Sequence, residues 1–202
     1  MRRGLQPRSP GSGRAALLAL DLITDFEFPD GSAVRRALAR HAPAIRRLLD
    51  AAHAHRVPVI YANDNLGAWR SDAPALIRHC TRTPLAGAPL VRRLAPAAED
   101  EIILKPRHSA FYGTALEPLL DDRKIDTLLL VGISAESCVW MTACDAHTRG
   151  FRLVIPADTM AGAAARAVRA TLTGLRQVLG ARVPVRAASL RFGTGKLRHA
   201  PP

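Results

Sequence analysis

What most restricts the fold of this chain is its alternation of short apolar runs with longer stretches of helical periodicity. The runs are "AALLALDL" (15–22), "VPVIYA" (57–62), "EIILK" (101–105), "TLLLVG" (127–132), "RLVIPA" (152–157) and "VPVRAA" (183–188). Strands that are apolar on both faces belong to a parallel sheet covered on both sides. Between them lie helical patterns at 32–55, 115–122, Glu136 to Arg149 and 163–179. Ser32 is the expected N-cap of the first, Pro43 is a possible kink within it, and Gly150 ends the third. Residues 63–100 form a long connection with one or two short helices, and a connection of that length is usually functional. Right-handed crossovers then give an α/β fold of three layers, α/β/α, with a central, mostly parallel six-stranded sheet. The expected organisation is a disordered basic tail at 1–14, one domain over 15–190 and a loose C-terminal tail at 191–202.

Composition narrows the function classes. The 202 residues carry a net charge of +12, and all the basic residues except Lys105, Lys124 and Lys196 are Arg. The arginines are scattered in pairs on solvated helix faces, with few aromatics among them. There is no stacking platform for a nucleic acid, so no such partner is expected. Three cysteines without a C-x-x-C pair argue against a disulfide framework or zinc knuckle and fit a reducing cytoplasm. No run approaches the ~20 apolar residues of a membrane span. Asp21 breaks the first apolar stretch, so the Arg2-Arg3 pair is not read as an export signal.

In parallel α/β sheets ligands bind beyond the carboxyl ends of the strands. Asp21 ends the first strand, Lys105 ends the third, and Cys138 follows the fourth at the start of a helix. Each has an ordinary explanation. An Asp after a strand is often a turn residue, a Lys there is the first solvated position, and a lone Cys is more often a small buried hydrophobe. Together they form a hydrolytic set. Helix N-terminal and cationic surroundings lower a thiol's pKa, so Cys138 is expected to alkylate with an apparent value well below about 8. Asp21 would move the proton from the thiol to a leaving amine, and backbone N–H groups around Ser134 to Cys138 would hold an oxyanion. The competing arrangement pairs Cys138 with His108 or His147 as base.

The segments "LLALDLITDFEFPDG", "ILKPRHSAFYGT" and "LLLVGISAESCVWMTACDAHTRGF" resemble, in the right order, three signature segments of the isochorismatase-like cysteine hydrolases. That superfamily includes nicotinamidases, N-carbamoylsarcosine amidases and isochorismatases. The resemblance runs from about Ala15 to Pro184. It implies a catalytic triad of Asp21, Lys105 and Cys138, and a cis peptide at Ile133–Ser134 that turns N–H groups toward the oxyanion. Asp25 and Phe26 match the second Asp and Phe of the first segment. Ser109, Ala110 and Phe111 match the positions after the Lys. Nicotinamidases carry an Asp-x-His metal motif after the second strand, but here Asp64 is followed by Asn65 and Leu66. No metal and no cofactor are therefore expected. Isochorismatases replace the Cys with a small residue, so Cys138 favours hydrolysis of a small amide or carbamoyl compound through a thioester. The alternatives are an isochorismate-type vinyl ether hydrolase and a non-catalytic binding module on the same fold. Phe26, Asn65, Trp69, Phe111 and Tyr112 are the expected substrate-binding residues. Trp140, Cys80 and Cys144 read as packing. The resemblance also implies a homo-oligomer.

Overall fold

The computed structural model describes residues 13–70 and 72–198. The tail expected at 1–14 lies outside these residues except for Gly13 and Arg14. Five strands, β1 (Ala15–Leu20), β2 (Val59–Asp64), β3 (Glu101–Lys105), β4 (Thr127–Gly132) and β5 (Arg152–Val154), form one sheet in the order β3-β2-β1-β4-β5. Every pairing in it is parallel. Every residue of β1 and β4 is buried, which explains why both read as unbroken apolar runs. From β1 the chain steps outward through β2 to β3, then returns to the other side of β1 for β4 and β5. The crevice at this reversal, between the carboxyl ends of β1 and β4, is where α/β sheets hold ligands.

The helices are α1 (Gly31–Ala54), α2 (Ala73–Thr81), α3 (Ala88–Arg93), α4 (Leu116–Asp122), α5 (Trp140–Thr148) and α6 (Ala165–Leu179). Helix α1 buries Val34, Leu38, Ala42, Ile45, Leu49 and Ala52, the i, i+3/i+4 stripe of a sheet-covering helix. Pro43 lies inside α1 and does not end it. Its ring removes only the N–H that would reach Ala39, while buried residues on both sides hold the helix on the sheet. The N-cap is Asp30, not Ser32, and it takes a left-handed φ of 64° without a side-chain cap bond.

Two expectations at the C-terminal end need correction. Residues 183–188 add no sixth strand to the sheet. Arg182 bridges Val154 through Arg182 N to Leu153 O and Ile155 N to Arg182 O. Pro184 then offers a carbonyl to Ala157 but has no N–H to extend the ladder. Residues 191–198, expected to be loose, form an antiparallel hairpin of β6 (Arg191–Gly193) and β7 (Lys196–Arg198). Leu197 is buried, Phe192 stacks on His55 at 5.9 Å, and Ala15 N donates to Gly195 O. Those contacts anchor a segment whose Gly- and Arg-rich composition conceals them. Among the described residues no helix is long and apolar enough to cross a membrane.

Candidate active site

The site is built where β1, β2, β3 and β4 end. Asp21 follows β1 directly and turns the chain with a left-handed φ of 50°, which Asp tolerates better than most side chains. Its Oδ1 accepts a hydrogen bond from Asp64 N at 2.7 Å. Its Oδ2 lies at ion-pair distance from Lys105 Nζ, 2.9 Å, without hydrogen-bond alignment. Lys105 closes β3 opposite Asp64 and is 0% exposed. Its Nζ also donates to Cys138 Sγ at 3.5 Å. Cys138 is half-buried in a single π-helical turn, Ala135–Val139, between β4 and α5.

Two backbone features set that turn in place. The Ile133–Ser134 peptide is cis. Before it, Gly132 has φ 126°, and a Cβ there would run into the Leu20 carbonyl oxygen. That close approach lets Ile133 N bond to Leu20 O at 3.0 Å, tying the end of β4 to the residue before Asp21. Within the turn Ala135 N donates to Ala161 O, and Ser137 N and Val139 N donate to Ser134 O. The N–H groups of Ser134 and Cys138 make none of these bonds.

The electrostatics differ from the sequence expectation. Burial would lower the pKa of Lys105, but its pairing with Asp21, with Cys138 and Asp64 beside it, outweighs burial, and the ammonium is held above its usual range. The Cys138 thiol is pushed up to about 12, first by burial and then by the Asp21 charge. Lys105 pulls the other way with a smaller effect. The expected low thiol pKa is therefore overturned, and Cys138 rests protonated at neutral pH.

Stability should follow. Cys80, buried near Asp25, is likewise raised from 9.0 to about 12, and burial raises Tyr61. The two thiols keep their protons more tightly folded than unfolded, so their contribution is complete below pH 9.0 and is lost as pH rises toward about 12, and Tyr61 acts in the same direction from pH 10.0 upward. The urea midpoint should hold constant up to pH 9.0 and fall above it; a midpoint flat through this window contradicts the burial of these groups.

A cleft of about 340 Å³ opens above the three groups. Asp21, Asp64, Thr24, Ser134, Ser137, His108 and Cys138 supply its polar lining, and Ile23, Phe28, Leu66 and Ile133 its apolar wall. The five residues expected at the substrate do not line it. Phe26 has φ 63°, which turns its ring onto Gly87 and away from the cleft. Asn65 spends its side chain accepting from Gly67 N. Phe111 is buried against Phe151 beneath the Arg149 guanidinium. Trp69 and Tyr112 stand 79% and 61% exposed. Sequence reasoning missed Ile23, Thr24, Phe28, Leu66 and Ser137. Their one available signal was position, in the loops that follow the carboxyl ends of β1, β2 and β4.

After β2 the chain offers Asp64, Asn65 and Leu66, one carboxylate and no imidazole. Among the described residues no group of three or more His, Cys, Asp or Glu is arranged to hold a metal ion. This donor set does not fit the Asp-x-His metal site of the nicotinamidases.

The isochorismatase domain model matches residues 15–185. The chain belongs to the isochorismatase family. Among isochorismatase-family proteins, it is 33% identical over 168 residues to the uncharacterized family protein YaaI of Bacillus subtilis, covering 83% of this chain and 92% of that protein. It is 33% identical over 173 residues to an N-carbamoylsarcosine amidase of Arthrobacter sp, covering 78% of this chain and 63% of that protein. The crystal structure of the nicotinamidase/pyrazinamidase PncA of Bacillus subtilis superposes with a TM-score of 0.68 at 26% identity, over 85% of this chain and 99% of that one. As an isochorismatase-family hydrolase with amidase relatives, the chain has its cleft at the sheet's switch point, where Asp21, Lys105 and Cys138 meet.

Proposed function

We propose that this isochorismatase-family protein is a cysteine-dependent amidohydrolase that cleaves the C–N bond of a small amide or carbamoyl compound through a thioester. The observation that carries the reading is the buried Lys105 ammonium, 2.9 Å from the Asp21 carboxylate and 3.5 Å from the Cys138 sulfur, at the floor of a cleft. Two relatives bear amide-hydrolase names, the N-carbamoylsarcosine amidase of Arthrobacter sp and a maleamate amidohydrolase of Pseudomonas putida, 28% identical over 162 residues.

The raised pKa of the thiol decides how the first step runs. A preformed thiolate is scarce, so proton removal accompanies attack. The Asp21 carboxylate takes the S–H proton as sulfur bonds to the carbonyl carbon. The carbonyl π electrons move to oxygen, where the N–H groups of Ser134 and Cys138 receive the charge. Collapse breaks the C–N bond, and Asp21 returns its proton to the departing nitrogen. Lys105 pairs with Asp21 at 2.9 Å and stabilises the sulfur as its proton leaves. The apolar wall of Ile23, Phe28, Leu66 and Ile133 suits a compact acyl group with little charge.

A panel of small amides, ureides and carbamoyl compounds, quenched with acid during turnover, tests this. The expected result is an acyl adduct on the peptide that contains Cys138. Turnover with no adduct on that peptide would remove the covalent mechanism. The family resemblance extends the proposal to a cytoplasmic homo-oligomer; light scattering that returns the mass of one chain would remove that part.

A further inference from the structure

Resting on the thioester reading, we propose that His108 is a second catalytic residue, the base that activates water to hydrolyse the acyl-enzyme. Three observations carry it. His108 Nδ1 lies 3.7 Å from Cys138 Sγ, so the imidazole touches the reacting atom. The same Nδ1 lies 3.3 Å from Ser137 Oγ, which fixes the ring over the π-helical turn. His108 is exposed where it lines the cleft, whereas Asp21 lines it as a buried carboxylate and Lys105 is 0% exposed.

The two halves of the reaction place opposite demands on these positions. Acylation needs a base for the S–H proton, and Asp21, paired with Lys105 at 2.9 Å, supplies it. Deacylation needs a base where water arrives. Once the amine has left, water that enters the cleft reaches the exposed His108, 3.7 Å from the sulfur. In the tautomer protonated at Nε2, the Nδ1 lone pair takes a proton from that water. The water oxygen bonds to the thioester carbon, and the carbonyl electrons move to the oxyanion position. Collapse breaks the C–S bond, the imidazolium returns its proton to sulfur, and a free carboxylic acid leaves. Protons and electrons balance without any further reactant. Asp21, already accepting from Asp64 N and paired with Lys105, need not reorganise.

The experiment uses p-nitrophenyl acetate as an acyl probe on the full chain, with His108→Ala and His108→Gln. In both variants the initial burst of nitrophenolate should survive within about threefold. The steady-state rate should fall by about 10²-fold, the lower end for loss of a general base. Intact mass should show the acetylated enzyme accumulating, and added imidazole should restore the steady state of His108→Ala. A slowed burst with no accumulation, or an unchanged steady state, overturns the proposal. Cys138→Ala run alongside separates the two readings, because an acetyl adduct that persists there counts against the thioester mechanism and not against His108 alone.

Discussion

Asp21→Asn is expected to lower amide turnover by about 10²–10⁴-fold while making Cys138 easier to alkylate. The two effects have opposite signs because Asp21 does two things to the sulfur. It is the proposed acceptor of the S–H proton, so its loss stalls attack. Its charge also raises the thiol pKa, second only to burial, so its loss leaves Lys105 acting on the sulfur with less opposition. The thiolate fraction at neutral pH rises, and with it the rate of reaction with iodoacetamide. Asparagine keeps the shape, and its side-chain oxygen can still accept from Asp64 N, as Asp21 Oδ1 does at 2.7 Å. Cys138→Ala should abolish both hydrolysis and alkylation at this position with the fold retained. Parallel pH profiles of alkylation for wild type and Asp21→Asn check the prediction. A profile that does not move down in pH shows that Asp21 does not govern the thiol, and unchanged turnover excludes it as the base.

Gly132→Ala should destabilise the fold by roughly 2–6 kcal/mol, combining a strained backbone with overpacking. At φ 126° any other residue is strained, and the new Cβ would meet the Leu20 carbonyl, which is backbone in the middle of the sheet and cannot move aside. For a chain of this size that corresponds to a fall in Tm on the order of 10 °C. Gly67→Ala is the matched control. It also has a positive φ, 73°, but nothing lies within 4 Å of the added carbon. It should cost about 1 kcal/mol, from backbone strain alone. Equal losses in the two variants would show that the close approach of β4 to β1 is not what constrains Gly132.

The sequence displayed the sheet well where both strand faces are buried. The run at 127–132 coincides with β4, every residue of which is buried, and the run at 101–105 coincides with β3 although that edge strand is mostly half-buried. It failed where one residue's backbone chemistry decides the outcome. Pro184 stops a sixth strand that Val183 and Val185 advertise, and the left-handed backbone of Asp30 starts α1 two residues before Ser32. The meeting of Asp21, Lys105 and Cys138 was legible because the ends of parallel strands point one way. The aromatic residues gave no direction at all. Phe26 and Phe28 are two positions apart, and a left-handed φ at Phe26 leaves Phe28 to line the cleft. The state of the thiol was misread for a related reason. Sequence shows which charges will be near Cys138 but not how deeply it is buried, and burial is the larger influence.

Lys105 belongs to the outermost strand on its side of the sheet, with all of β2 between it and Asp21. Adjacent strands are about 4.8 Å apart, so only a long, flexible stem can carry a charge across that interval. The cation is thus contributed by an edge strand, while the acid and the thiol follow the central pair β1 and β4. A chain with β1, β2 and β4 assembled but β3 undocked holds a carboxylate near a protonated thiol and no ammonium. In the proposed mechanism, docking of β3 is what brings the ammonium to the acid and the thiol.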